Sequence, residues 1–404
     1  MPRHRHSRKW MRLSTAFFVV GGSVLALETP SFAAGSFTAG DLVVYEVQGT
    51  SSSSFAVDLV DYSTGGVPSG FSVALPIADS SPNHALTESG SALNDGELTL
   101  SADGQSLIAT GYDAAPGVTS ITGSTVPRTV ALVSPTGTVD TTTALSDGTA
   151  EGNNFRSATT AVTGGNIYVG SGGGTGITTD SGTSATYLDA SKTHEVQVVN
   201  GQLYESTSSA INQVGTGLPT SGTPTLTSLI TGANLPAHFG PDQFAFVTLG
   251  AGPGPDTLYV ADGSNGATSG DPSAVEKYSL VSGVWKATGS ITVPLVVGLT
   301  ATASGGVAHI YVTGATATSA SNNTILDGIT DSSGYDGTLS GSATLLATAP
   351  SGTDFKGLAF APVATGGEGL PETPFVLALP VLGALLLGGY LALRRRSRAT
   401  DASA

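Results

Sequence analysis

LTLSADGQSLIATG, residues 98–111, is two short strands joined by a turn. Apolar and β-branched residues alternate with small polar ones on either side of Asp103-Gly104, a pair suited to the positive φ of a tight hairpin. The pattern recurs in AVTGGNIYVGSG (161–172), VQVVNGQLYESTS (196–208), LGAGPGPDTLYVADG (249–263) and TATASGGVAHIYVTG (300–314). Further strand-like runs follow several of these hairpins. RTVALVSPTGTVDTTTAL follows the first, VEKYSLVSGVWKATGSI the fourth, and TILDGITD and SATLLATA the last. Four strands per unit, at spacings of about 36 to 60 residues, is the size of a propeller blade.

Five complete units fall at about 86–145, 155–190, 194–231, 243–293 and 297–349. The start of the body leaves three strands without a fourth: DLVVYEV (41–47), FAVDLVDY (55–62) and FSVALP (71–76). The end leaves one strand without partners, DFKGLAFAP (354–362). Joining them makes a sixth blade and closes a ring through the two ends of the body, which covers edges that would otherwise template aggregation. The expected fold is therefore all-β, a propeller of six four-stranded blades. Seven blades would follow if the Gly/Ser-rich stretch 170–190 hid further strands. One or two β-sandwiches form the competing architecture, since short strands and frequent turns fit those too. Sustained 3.6-residue periodicity is confined to the two termini.

Composition agrees with strands and turns. The 404 residues include 55 glycines and are 39% hydrophobic, but only 11% are charged, against about a quarter in an average soluble domain. Absence of cysteine excludes disulfides, thiolate metal ligands and a cysteine nucleophile. Nine of the 15 basic residues lie at the chain ends. Between Ala34 and Pro374 only Arg128, Arg156, Lys192, Lys277, Lys286 and Lys356 face 28 acidic residues, a net charge of −22. Without a basic stripe the body has no means of tracking nucleic acid.

The ends predict an address. A basic stretch up to Arg12 precedes an apolar run from Ala16 to Leu27, and Ser31-Phe32-Ala33 places small residues for cleavage after Ala33, so residues 1–33 read as a secretory signal. At the other end, FVLALPVLGALLLGGYLAL (375–393) is an uncharged run of spanning length followed by Arg394, Arg395, Arg396 and Arg398. That order predicts one transmembrane helix, a cytoplasmic tail over 394–404, and an ectodomain over 34–362 on the outside. A linker, 363–374, carries Leu370, Pro371, Glu372, Thr373 and Pro374 just ahead of the apolar run. LPETP resembles the L-P-x-T-G sorting signal of Gram-positive surface proteins. Pro374 replaces the glycine and supplies a tertiary amide, so a retained membrane anchor is expected over covalent wall attachment.

Most of the body resembles a family of secreted bacterial β-propeller proteins of unassigned function. The resemblance is carried by DLVVYEVQG, by NHALTESGSALNDGELTLSADGQSLIATGYDAAPG (83–117), and by NNFRSA (153–158). It continues through NGQLYESTSSAINQVGTGLP (200–219), DTLYVADG (256–263), KYSLVSGVW (277–285) and TDSSGYDGTLSGSATLLATAPSGTDFKGLAFAP (330–362). It implies the propeller fold and brings no activity with it.

Local catalytic signatures are missing: no H-E-x-x-H, no G-x-S-x-G elbow, no P-loop. His84, His194, His238 and His309 are widely separated, although a dispersed triad is defined by geometry and not by spacing. His309 alternates with Ile310 and Val312 and is expected to face solvent. Calcium is the one cofactor with any footing, in turns such as ADGSNGATSGD (261–271) and DGITDSSGYD (327–336), where oxygen ligands are plentiful. The same residues are what turns use without metal; the primary expectation is no cofactor. Arg156 and Lys356, rare cations ahead of apolar runs, should stand on innermost strands that line the channel. Tyr112 and Asp113 end a strand nearby and could join them as a ligand face. The alternative role for the two cations is structural, pairing with Asp to hold blades in register. The leading expectation is a monomeric, non-catalytic surface ring displaying loops to a protein or glycan. The alternatives are an extracellular hydrolase or lyase with a dispersed site, and a passive wall component. Two or more carboxylates converging in the channel would favour the enzyme.

Overall fold

A computed structural model of the chain describes residues 35–147, 153–263, 273–317, 320 and 322–364. The expected signal, the LPETP motif, the apolar run and the basic tail lie outside the described residues. Among those described, no helix is long and apolar enough to cross a membrane.

Six four-stranded antiparallel sheets are arranged as the blades of a propeller. From the inside outward, blade 1 is Asp354–Phe360, Leu42–Val47, Val57–Tyr62 and Pro68–Ala74. Blade 2 runs from Thr99–Leu100 through Leu107–Tyr112 and Arg128–Val133 to Val139–Leu145. Blades 3 to 6 begin with the inner strands Phe155–Thr160, Thr193–Val199, Pro241–Val247 and Leu299–Ser304. The stretch 170–190 supplies the two outer strands of blade 3, Gly174–Thr178 and Thr186–Tyr187, and not a seventh blade. Closure is as the orphan strand requires: Leu42 pairs with Phe360 and Val43 with Ala359, so the last strand of the body completes the sheet begun by the first.

Each blade is buried on both faces, and strand alternation divides its apolar residues between two neighbours. Val43, Tyr45 and Val47 pack with Leu107 and Ala109 of blade 2. Leu42 and Val44 point the other way, against Leu326 of blade 6 and Phe355 and Leu358 of their own inner strand. Four further apolar layers fill the remaining gaps between consecutive blades. Between blades 4 and 5 the layer includes Phe246, whose ring meets those of Tyr204 and Trp285 at centroid separations of 4.9 and 5.7 Å. Large buried cations hold other seams. Lys277 Nζ of blade 5 meets Asp331 Oδ2 of blade 6 at 2.8 Å, with both side chains fully buried. Arg128 lies 4.6 Å above the Tyr112 ring and donates to the carbonyls of Thr122, Ser124, Val126 and Asn153.

Candidate functional site

The six inner strands surround the axis, and hydrogen bonds link their first residues into a belt at one end of the channel. Gly357 N–H donates to Gly96 O (3.0 Å), Glu97 N–H to Arg156 O (2.9 Å) and Gln243 N–H to Val297 O (3.2 Å). Arg156 Nη1 donates to Thr193 O at 3.0 Å, and Ser206 Oγ to Asp242 O at 2.6 Å. Thr313 Oγ1 donates to Lys356 O, returning to blade 1. Blades 1 and 2 approach closely here: a Cβ on Gly357 would collide with the main chain of Glu97 and Leu98, so glycine is required.

The belt gathers the chemistry of the protein. Asp95 and Glu97 precede the inner strand of blade 2, and Arg156 is the second residue of blade 3. His194 and Glu195 open blade 4, Asp242 and Gln243 blade 5, and Asp354 and Lys356 blade 1. The segment 88–97 lies across this end, with Glu88 paired to Phe55 in a two-stranded sheet. Ala92 O accepts from Lys356 Nζ at 2.8 Å, Gly90 O from Asn322, and Asn94 donates to Asp242 Oδ1. Glu88, Asp95, Glu97, Glu195, Asp242 and Asp354 are all at most 1% exposed. Arg156 and His194 are the partners that keep an opening to solvent, at 13% and 7% side-chain exposure.

Three arrangements stand out within the cluster. His194 Nδ1 lies 2.6 Å from Asp242 Oδ1; the carboxylate accepts, so the proton is assigned to Nδ1 and Nε2 carries the lone pair. Asp95 accepts from Tyr112 Oη at 2.7 Å and from Asn154 Nδ2, with Arg156 Nε 3.7 Å away. Gln243 bridges the axis. Its amide nitrogen donates to Leu98 O (2.8 Å) and Glu195 Oε1 (3.2 Å), and its oxygen accepts from Leu299 N (3.2 Å) and Leu358 N (2.9 Å). Beyond it, toward the other end of the channel, is a cavity of about 240 Å³ lined by Leu98, Ser101, Gln197, Gln243, Leu299 and Leu358 among others.

Crowding so many carboxyl groups away from water raises their proton affinity. Burial pushes Glu97 far above the usual carboxylate range, and the charges of Asp242 and Glu195 add to the shift. Burial carries Glu195 up to about 8, against the lowering effect of hydrogen bonds from Phe244 N and Gln243. Asp95 and Asp354 are also raised by burial, although Arg156 acts on the first and Lys356 on both in the opposite direction.

Of the four residues expected at a ligand face, three reach this region. Arg156 stands at the mouth, and Tyr112 is fully buried beneath it, holding Asp95 through its hydroxyl. Lys356 is fully buried between Asp354 Oδ2 (2.7 Å) and Ala92 O, so its contacts tie the inner strand to the capping segment. Asp113 turns the opposite way, as alternation after Tyr112 requires, and pairs with His84 Nδ1 at 3.0 Å. With exposed Asp79 these two place ligand atoms within 4.8 Å of one another. His309 is exposed on a strand of blade 6. In the turn 327–336, Asp331 is taken up by Lys277, Tyr259, Ser333 and Ser340; most of the turn 261–271 lies outside the described residues. His194, Asp242, Gln243, Glu97 and Glu195 carry no local sequence signature. Their shared position at or just before the start of an inner strand is the signal that finds them.

No protein-family model and no curated protein matches the chain. Similar solved structures include a candidate 6-phosphogluconolactonase from Bacteroides fragilis, 13% identical, covering 76% of this chain and 82% of that one, TM-score 0.45. The periplasmic gluconolactonase of Pseudomonas aeruginosa is 11% identical over 80% of this chain and all of that one, TM-score 0.42. A gluconolactonase of Xanthomonas campestris is 12% identical over 80% and 90%, TM-score 0.39. At these identities the likeness assigns no activity to this chain.

Proposed function

We propose that the protein is a hydrolase acting at the channel mouth on an ester or lactone of a small, hydroxyl-rich molecule. The observation that carries this reading is the His194–Asp242 pair, set 2.6 Å apart among buried carboxyl groups with Arg156 alongside. Asp242 fixes the imidazole with its proton on Nδ1, so Nε2 takes a proton from water as general base. The hydroxide attacks the substrate carbonyl, and the guanidinium of Arg156 stabilises the oxyanion in a site shielded from bulk water. Collapse breaks the acyl C–O bond, and the imidazolium returns its proton to the leaving oxygen. Carboxyl groups around the mouth offer acceptors for substrate hydroxyls.

A platform that only displayed loops has no need of such a cluster: buried charge is costly unless paired and hydrogen-bonded, and strongly perturbed titratable groups gathered at a cleft are what a reactive site uses. Placement outside the membrane is part of the same proposal, supported by the leader-like N-terminus and the apolar run followed by arginines. The test is a panel of aliphatic esters, aryl esters and sugar lactones, assayed with wild type and H194A. Turnover that falls by at least a hundredfold in H194A, with melting temperature retained, supports the reading. Turnover unaffected by H194A, or absent across the panel, removes it.

A further inference from the structure

Strand direction fixes which end of the ring the chain leaves from. The inner strands begin at the mouth, so their last residues and the turns after them lie at the far end of the channel. Asp354–Phe360 is the inner strand of blade 1, and Leu42–Val47 runs antiparallel beside it with Leu42 opposite Phe360. The body is therefore both entered and left at the far end, and hydrogen bonds hold the chain there. Phe37 N–H donates to Pro135 O, in the turn after Arg128–Val133, and Ala361 N–H to Asp41 O, each at 2.9 Å. Val363 N–H donates to Gly104 O at 2.9 Å, and Gly104 lines the axial cavity, so the chain departs close to the axis. Arg156, His194 and Asp242 stand at the opposite end, at the starts of their strands.

Ten residues, 365–374, separate this exit from the apolar run 375–393. Whatever its conformation, a segment of ten residues reaches at most about 35 Å. For the mouth to face a bilayer holding 375–393, the segment would first have to run from the axis to the rim, roughly 25 Å in a body of this size. It would then have to descend the height of a blade, about 20 Å for strands of six or seven residues. That path, about 45 Å, is longer than the segment. With the far end toward the bilayer, the chain has only to run straight down.

We infer that the protein stands over a lipid bilayer with the far end of the ring toward the lipid and the channel mouth facing away. The mouth then receives its ligand from the aqueous side and does not reach the acyl esters of the membrane that holds the protein. The inference rests on the reading of 375–393 as a membrane span and stands apart from whether the mouth hydrolyses anything.

The chain has no cysteine, so a single introduced thiol takes a dye at one place. Val162 is 55% exposed in the far-end turn after Phe155–Thr160, and Val118 is 37% exposed in the mouth-side loop between Leu107–Tyr112 and Arg128–Val133. V162C and V118C, each in the full chain and carrying a donor dye, are added to preformed phosphatidylcholine vesicles with an acceptor dye on some headgroups. Flotation separates bound from free protein. The expected result is that both variants float with the vesicles and that energy transfer from V162C exceeds that from V118C at least twofold. Inserting twenty Gly/Ser residues between Gly366 and Gly367 raises the reach to about 100 Å and should narrow that gap. Equal or reversed transfer in floated protein overturns the orientation and leaves the span standing. A gap that the insertion does not change overturns the short tether as its cause. Protein that fails to float removes the span and the inference with it, and none of these outcomes bears on turnover at the mouth.

Discussion

Gln243 makes the channel testable as a structural unit. Its amide is 1% exposed and joins blade 5 to the main chains of blades 1, 2 and 6 and to Glu195 of blade 4. Q243L keeps nearly the same volume and removes all four hydrogen bonds. Leu299 N–H, Leu358 N–H and Leu98 C=O then lose the partner that meets them in the channel, while the Glu195 carboxyl keeps the bond from Phe244 N–H. Leaving a buried polar group unbonded costs about 1–3 kcal/mol, so three of them set a range of roughly 3–9 kcal/mol. Water entering from the adjacent 240 Å³ cavity restores part of that bonding, which favours the low end, about 3 kcal/mol. For a body of this size that is a fall of roughly 4 °C in Tm. Urea unfolding should show the same loss as a lowered midpoint at constant m. An unchanged or raised midpoint in Q243L would mean that the bridge is incidental and that the inner strands hold together without it.

Other perturbations probe the ring and its charges. K277M strands Asp331 in the seam between blades 5 and 6 and should destabilise by about 3–5 kcal/mol, with D331N/K277M costing less than the two single changes together; strict additivity in urea unfolding would contradict the pairing. Glu195 keeps its proton up to about pH 8 in the folded state but loses it near 4.5 when unfolded. Its contribution is therefore full below pH 4.5 and is lost as pH rises toward 8, by roughly 4–5 kcal/mol at most; E195Q should flatten the fall in Tm over that window. Asp331 works in the opposite sense, its carboxyl held low by Lys277 and Tyr259 despite burial, so its contribution is present above the usual carboxylate range and lost in acid. A chain ending at residue 349 lacks the inner strand of blade 1 and bares the edge of Leu42–Val47, so it should elute as aggregate in size exclusion; a stable monomer would argue against closure through the termini.

The architecture was legible because blade-building is local. Hairpins announce themselves through Asp103-Gly104 and Asn200-Gly201 flanked by alternating apolar residues, and the unpaired run at 354–362 demanded the partners left over at 41–76. The mouth of the channel was only partly legible, and the reason is compositional. Arg156 and Lys356 stood out because the body has six basic residues; Glu97, Glu195 and Asp242 were hidden among 28 acidic ones. Chain separation hid the rest, since His194 and Asp242 are 48 residues apart and meet only when blades 4 and 5 stand side by side. Aligning the inner strands with one another, instead of searching for motifs along the chain, places Glu97, Arg156, His194, Asp242 and Lys356 at one level of the ring. Asp113 shows the limit of adjacency as a guide: one residue beyond Tyr112, it points to the opposite side and serves His84.

The proposed hydrolysis requires His194 and Asp242 to act as one unit on a substrate held at the channel mouth. The most direct measurement is a double-mutant cycle in kcat/KM, using H194A, D242N and the double variant on whichever ester or lactone turns over best. Residues that act together lose most of the rate at the first substitution. H194A and the double variant should fall to the same level, with D242N close to it. Independent, multiplying losses, or single variants that keep the wild-type rate, would contradict it.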